Sequence, residues 1–357
     1  MAKLIDVTGK ALSGEWGMDD IVGNGVPVFR TTNFTNEGII NYDNIVTRRI
    51  TKKNIGEKYL RKGDIIIEKS GGSDKFPVGR VVYFDGDENT YLFNNFTGLL
   101  RVKNKEEWYP KYIFYSLFAN YKRGGTRPFE NKTTGLHNLK IDDYVTRYEV
   151  RALKKEEQIS ICEKIDRTYR IIKLREQELQ LLDELIKARF VEMFGDVEIL
   201  VNRWKAKAFS EVTINFDSTR KPVKEADRKR IQGEYPYYGA TGIVDYVNDY
   251  KIDGTYLLIS EDGKALEFRN RDIAFIAKGK IWVNNHAHVL QCTSDINMIF
   301  LMYYMNFRNI SDWVTGIDQK KLNRANMDKI PVGVPPIELQ NQFADFVDQV
   351  DKSKVVA

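Results

Sequence analysis

The longest regular pattern in the chain runs from Lys154 to Phe194, a stretch without Gly or Pro. Ile161, Ile165, Thr168, Ile172, Arg175, Leu179, Leu182, Ile186, Arg189 and Met193 recur in alternating steps of four and three. Most of this seam is apolar, which marks a helix made to pair with another along one side. At ~1.5 Å per residue it would be roughly 60 Å long. Gly195 is a natural stop. Helices packed on a single domain rarely run so far, so the pattern predicts a long coiled-coil helix.

On either side the pattern shortens. Residues 1 to 150 read as short strands and turns with one or two helices. "GDIIIEKSGG" is an apolar run bounded by glycines, the pattern of a buried strand. "GRVVYFDGDENTYLF" reads as strand, turn at Asp85-Gly86, strand. "YPKYIFYSLFANYK" has helical spacing, with Pro110 suited to a first turn. From about residue 197 the same order returns. "KAFSEVTINFDSTRKP" echoes "AKLIDVTGKALSGEW", and "YPYYGATGIVDYV" stands where "VPVFRTTNFTNEG" stood. "YLLISEDG" answers "DIIIEKSGG", "NNHAHVLQC" answers "NNFTGLLRV", and "INMIFLMYYMNF" answers "PKYIFYSLFANY".

Each copy closes on the same helix opening, "EEQISICEKID" from Glu156 and "ELQNQFADFVD" from Glu338. The pairs Gln158 and Gln340, Ile161 and Phe343, Ile165 and Val347, and Asp166 and Asp348 keep a constant offset. That spacing is too long for a solenoid. The expected organisation is an α+β chain with a pseudo-two-fold repeat: a domain at 1–150, a long helix at 151–196, a second domain at 197–334 and a short distal helix at 335–357.

Composition narrows this little. A net charge of +5 permits a nucleic-acid partner and is equally met by plain solubility. The two cysteines, Cys162 and Cys292, support neither a disulfide framework nor a zinc ribbon, which favours a reduced, cytoplasmic setting. The first residues lack an apolar signal core, and no apolar run is long enough for a bilayer.

Catalytic signatures are missing. "GGSDKFPVG" lacks the Gly-Lys-Ser/Thr ending of a phosphate-binding loop. No Asn/Asp-Pro-Pro-aromatic segment marks an amino-methyltransferase. "SEDGKALEF" offers Glu261, Asp262, Lys264 and Glu267 to a nuclease metal, but reads better as a turn at Asp262-Gly263 between strands. His286 and His288 would share one side of a strand, as zinc ligands do. Apart from Cys292 nothing supports them, so no metal site and no catalytic residue are expected.

The motifs "IPVGVPPIELQNQFADFVD", "EEQISICEKID", "LDELIKARFVEMFGD" and "LRKGDIII" resemble the specificity subunits of type I restriction-modification systems, over essentially the whole chain. The first helix opening departs from the pattern, with "RALKKEEQ" in place of a Pro-Pro run. The resemblance implies two target-recognition domains, each reading one half of a split double-stranded DNA sequence, held apart by antiparallel long helices. It implies a subunit that catalyses nothing and binds no cofactor itself. Two methyltransferase subunits would supply S-adenosylmethionine and the chemistry, and translocase-nuclease subunits can join them in anti-phage defence. Rival readings are the recognition subunit of another multisubunit methyltransferase-nuclease, and a coiled-coil scaffold whose domains bind protein.

Arg and Lys suit guanine, and Asn or Gln suits adenine. The candidate DNA-binding residues near turns are therefore Arg30, Asn33, Lys69, Ser70, Arg123, Arg127 and Lys132 in the first domain. In the second they are Tyr238, Thr241, Lys278, Lys280, Asn285, His286, Lys320 and Lys321. The apolar seam positions Ile161, Ile165, Ile172, Leu179, Leu182, Ile186 and Met193, with Phe343 and Val347, are expected to pair the helices.

Overall fold

The computed structural model of the chain describes residues 1–133 and 136–356, with the side chains at 132, 133, 136 and 356 outside that description. The chain divides into two compact units, Met1–Ile172 and Lys173–Ala357. The first contains β1 (Val26–Phe29), β2 (Ile65–Glu68), β3 (Val81–Tyr83), β4 (Leu92–Phe93), β5 (Thr97–Leu100) and helix α1 (Pro110–Lys122). The continuous helix α2 (Lys155–Phe194) follows. The second unit repeats the scheme with β6 (Gln232–Gly239), β7 (Ile252–Ser260), β8 (Ala274–Val283), β9 (Ala287–Cys292), α3 (Met298–Phe307) and a closing helix α4 (Ile337–Val356).

The repeat is a repeat of register. β2 lies antiparallel between β5 and β3, with Ile65 opposite Leu100 and Tyr83. β7 lies antiparallel between β9 and β8, with Leu257 opposite Leu290 and Ile276. Each unit also holds one parallel pair, Val28 beside Leu92 and Tyr237 beside Trp282. The turn at Asp85-Gly86 separates two strands as expected, but β3 and β4 do not pair with each other. In the second unit the single strand β8 meets β7 along most of its length and β6 at its end. In the first unit the turn cuts that strand in two, and the pieces join different sheets.

The apolar runs follow from burial on both faces. Ile65 and Ile67 face the core that holds Ile113 and Leu117 of α1, and Ile66 faces the core of Phe29 and Phe93. Leu257 and Ile259 likewise pack with Phe300 and Leu301, and Leu258 with Val283 and Val289. Strand alternation sends neighbours to opposite faces, and each such side chain contributes ~2 kcal/mol by leaving water.

The repeated helix opening is explained by its glutamine. Gln158 accepts the N–H of Tyr109 (2.9 Å) and donates to the carbonyls of Glu107 (3.0 Å) and Leu153 (2.9 Å). Gln340 accepts the N–H of Asn297 (2.8 Å) and donates to the carbonyls of Asp295 (3.2 Å) and Pro335 (2.7 Å). Tyr109 and Asn297 are the N-caps of α1 and α3. The amide thus clasps the start of one helix to the start of the next, and both glutamines are fully buried. All three backbone groups would otherwise be stranded without partners.

Burial is uneven along the seam. Cys162 lies in the first unit's core, with Ile161 half-buried beside it. Ile165, Ile172 and Leu179, in the middle of the seam, are 38%, 49% and 40% exposed. Among the described residues the last turns of α2 pack against α4. There Ile186 is buried, Leu182 and Met193 pack against the second unit's core, and Phe343 and Val347 of α4 complete it. Phe190 stacks on Phe300 at 5.6 Å and meets Phe343 edge-on at 5.4 Å. Lys354 near the end of α4 reaches Asp183 at 2.8 Å, which marks how far the pairing extends. Gly195 ends α2 as expected, with a positive φ of 96°. One correction concerns "SEDGKALEF", where a short helix at Lys264–Phe268 replaces the expected strand after the turn.

A candidate nucleic-acid interface

The two units present matching positions just beyond the central strand. In the first unit the N–H of Lys69 donates to the carbonyl of Phe96, and its carbonyl accepts from Leu139, both at 2.8 Å. In the second, the N–H of Glu261 donates to the carbonyl of His286, and its carbonyl accepts from Leu322, both at 2.8 Å. Nearby, the N–H of Asn94 donates to Phe29 and that of Asn284 to Tyr238, at 2.9 and 3.1 Å. Backbone geometry is therefore held in common while side chains differ. Lys69, Phe96 and Asn138 in the first unit stand where Glu261, His286 and Lys321 stand in the second.

Side-chain chemistry at these positions is opposite in sense. The Lys69 ammonium donates to the Ser13 hydroxyl at 3.0 Å, and partial burial pulls its pKa below the usual lysine value. Phe96 is 54% exposed beside it, and an exposed ring suits a thymine methyl. In the second unit the Glu261 carboxylate binds Lys321 at 2.9 Å and also pairs with Arg220. Burial pushes Glu261 up, but the bonds from Arg220 and Lys321 outweigh it and hold the carboxyl below its ordinary range. His286 meets the Asp262 carboxylate at 2.9 Å. Behind them His288, nearly fully buried, lies 2.7 Å from Asp217 and 2.9 Å from the Leu322 carbonyl. Asp217 is also pushed up by burial, and its bonds to His288 and the Val289 N–H return it below normal. The first unit thus offers a lysine beside an exposed ring, and the second a lysine and an imidazole held on carboxylates, so the faces suit different bases.

The structure gathers some sequence candidates and scatters others. Ser70 adjoins Lys69 and pairs with Asn138. Asn285, His286 and Lys321 converge at the Glu261 end of the second sheet. Thr241 is exposed in the neighbouring turn, and Ser260 donates to the carbonyl of Ala240 beside it at 2.6 Å. The Tyr238 ring stacks on Phe275 at 5.9 Å. Lys320 turns back to the Gly316 carbonyl at 3.1 Å. Lys278 and Lys280 pair opposite Thr255 and Asp253, toward the far end of β7 from Ser260. At 3.3 Å per residue that separation is roughly 20 Å, so they stand outside the cluster. Lys280 instead covers the Tyr250 ring at 4.9 Å.

In the first unit Asn33 is 2% exposed, which leaves it no edge for a base. Its amide accepts the N–H of Arg30 at 3.0 Å and donates to the carbonyls of Asn41 and Asp43, so it staples a loop. Arg30 donates to the Asn44 carbonyl at 3.1 Å. Arg123 and Arg127 are exposed beyond the end of α1. Lys132 lies on the strand Glu130–Thr133, its side chain outside the described residues. Sequence reasoning missed Phe96, Arg220 and Asp217, and gave Glu261 and Asp262 only a turn. Matching "DIIIEKS" to "YLLISED" was the signal that placed Glu261 opposite Lys69.

Among the described residues no group of three or more His, Cys, Asp or Glu side chains is placed to hold a metal. Burial pushes the Cys162 and Cys292 thiols up to about 12, which makes neither a nucleophile. No described helix is long and apolar enough to cross a membrane.

Comparison with known proteins agrees with the repeat. The family model described as the type I restriction modification DNA specificity domain matches residues 3–184 and again 202–355. A putative type I restriction enzyme specificity subunit of Haemophilus influenzae is 37% identical over 142 residues, which is 40% of this chain and 36% of that protein. The EcoprrI type I specificity subunit of Escherichia coli is 27% identical over 125 residues, covering 35% of this chain and 30% of its own. The matched stretches thus span about a third of these relatives' length. The crystal structure of a type I restriction-modification S subunit from M. genitalium aligns with a TM-score of 0.60 at 17% identity, over 99% of this chain and 89% of that one. A chain from a study of complex assembly and conformational transition in a type I system aligns at 0.53 and 12% identity, over 99% and 90%. At such identities the likeness is one of fold.

Proposed function

The chain belongs to the type I restriction-modification DNA specificity family, and from that premise we propose that it is the DNA-reading subunit of such a system. Each domain reads one half of a bipartite duplex target. The observation that carries this reading is the shared frame with unlike side chains, Lys69, Phe96 and Asn138 against Glu261, His286 and Lys321. A common backbone presents both faces in one manner to an approximately dyad-symmetric duplex, and unlike faces read unlike half-sites. Lys321 and His286 are held by carboxylates until phosphate or base edges compete for them. Arg220 and Asp217 position Glu261 and His288 rather than touch DNA.

The chain itself performs no catalysis in this account. Two methyltransferase subunits dock on it, bind S-adenosylmethionine and modify the target, and translocase-nuclease subunits complete the restriction complex. The assembly works in the cytoplasm. The test is co-expression with the cognate methyltransferase subunit and genome-wide mapping of methylated bases. A two-part motif with a fixed gap is expected. No new methylation, or one uninterrupted motif, would overturn the reading.

A further inference from the structure

A cleft of about 450 Å³ opens in the first unit where three stretches of chain meet. Lys122 and Arg123 come from the end of α1, Arg127 from the turn after it, and Lys75 and Phe76 from the connection leading to β3. No acidic side chain lines it. The arginine side chains bond only backbone carbonyls among the described residues, Arg123 that of Ala119 at 3.2 Å and Arg127 those of Asp74 and Lys75 at 3.2 and 3.4 Å. None of the four cations has a carboxylate within ion-pair distance among the described residues. Four like charges around one hollow repel one another, and no carboxylate among the described residues offsets them.

The ordinary explanation covers half of it. Lys122 and Arg123 complement the negative end of the α1 dipole. Lys75 stands at no helix end, and Arg127 ties only the carbonyls of Asp74 and Lys75. Phe76 is 57% exposed on the rim, with the Lys75 ammonium 5.3 Å from its ring centre. The second unit spends its cations differently. Arg308, which caps α3 as Arg123 caps α1, is 6% exposed and donates to the Pro331 carbonyl at 2.7 Å. Arg269 donates to the carbonyls of Met305, Asn306 and Arg308. The arginine that is buried against the fold at the end of α3 thus has its counterpart, Arg123, at the edge of a hollow in the first unit.

We propose that this cleft seats the phosphodiester backbone of duplex DNA, with Phe76 against a deoxyribose, and that it anchors the chain without reading sequence. The proposal rests on the DNA-reading function above. It adds a division of labour, in which the first domain both grips and reads and the second mainly reads. Cationic side chains supply the attraction, and each phosphate they neutralise releases counterions. Such contacts fix position but carry no base information.

The test measures duplex affinity against salt for the full chain with its methyltransferase partner, on the mapped target and on a scrambled duplex. Arg123→Ala with Arg127→Ala should flatten the slope of log affinity against log salt by about two, at roughly 0.9 per lost phosphate contact. The loss should be equal on both duplexes, with the methylated motif unchanged. Arg123→Lys with Arg127→Lys keeps the charges and should restore the slope, which separates a contact from a folding defect. An unchanged slope in the alanine variant overturns the proposal. So does a changed motif, which would make the residues base readers, and so does displacement of DNA by a mononucleotide at micromolar concentration, which would make the cleft a nucleotide pocket. If the unaltered complex does not distinguish target from scrambled duplex, the DNA-reading function fails. If it does and the alanine variant behaves like it, only the cleft fails.

Discussion

After its central strand the first domain carries Lys69 and the second Glu261, each held by the same two backbone hydrogen bonds. Positions that close the frame keep their residue type or role, as Gln158 and Gln340 do, and Asn94 and Asn284. Positions just beyond the central strand differ in charge or shape, as Lys69 and Glu261 do, and Phe96 and His286. A duplicated fold can change what it touches without changing how it stands, because the backbone bonds that set the geometry do not depend on the outward side chains.

The two domains differ most in how their helices are buried, and the largest expected effect lies there. Phe343 is fully buried among Phe190, Phe194 and Tyr303, whereas its counterpart Ile161 is half-buried. Phe343→Ala should cost ~3–5 kcal/mol and Ile161→Ala well under half of that, read from denaturant unfolding of each variant. Equal losses would show that the first domain's helix is packed as tightly as the second's.

The clasp makes the opposite forecast. Gln158→Ala and Gln340→Ala each strand one N–H and two carbonyls, so each should lose ~2–3 kcal/mol, and the two losses should agree within ~1 kcal/mol. A neutral result at either glutamine would mean that the shared hydrogen bonds do not hold the frame.

Acid should separate the surroundings of β9 from those of β2 by sign. Asp217 and Glu261 sit below their ordinary values of 3.8 and 4.5 in the folded second domain. Their stabilisation is present above those values and is lost as pH falls through the lowered folded ones. In the first domain burial pushes Glu68 above 4.5, against the pull of Arg80. Its folded form holds a proton more tightly, so its contribution is present at low pH and fades as pH rises through the raised value. Hydrogen exchange followed from pH 6 down to 3 should therefore report earlier opening around β9 than around β2. Simultaneous opening would remove the contrast.

Much of this was legible in the sequence, for identifiable reasons. The repeat was visible because frame residues recur in order, and the long helix because nothing in 154–194 breaks its period. The seam's exposed middle was not legible, since an alternation of apolar positions does not say what covers them. Asn33 and Asn285 looked alike in sequence, yet one staples a loop and the other stands on a turn. That difference lies in hydrogen bonds that Asn33 makes to carbonyls 8 and 10 positions along the chain. Lys278 and Lys280 are near a glycine turn in sequence and far from the shared face in space, because a strand carried them away from it.

On the proposed reading, matching positions on one frame read separate half-sites. It is tested most directly by methylation mapping of two variants of the full complex, Lys69→Ala and a paired His286→Ala, Lys321→Ala. A lost base contact is worth ~1–3 kcal/mol of discrimination. Lys69→Ala should relax one half of the motif, the paired variant should relax the other, and the gap should stay fixed in both. If either variant altered both halves, or if both altered the same half, the account of two independent readers on a common frame would be contradicted.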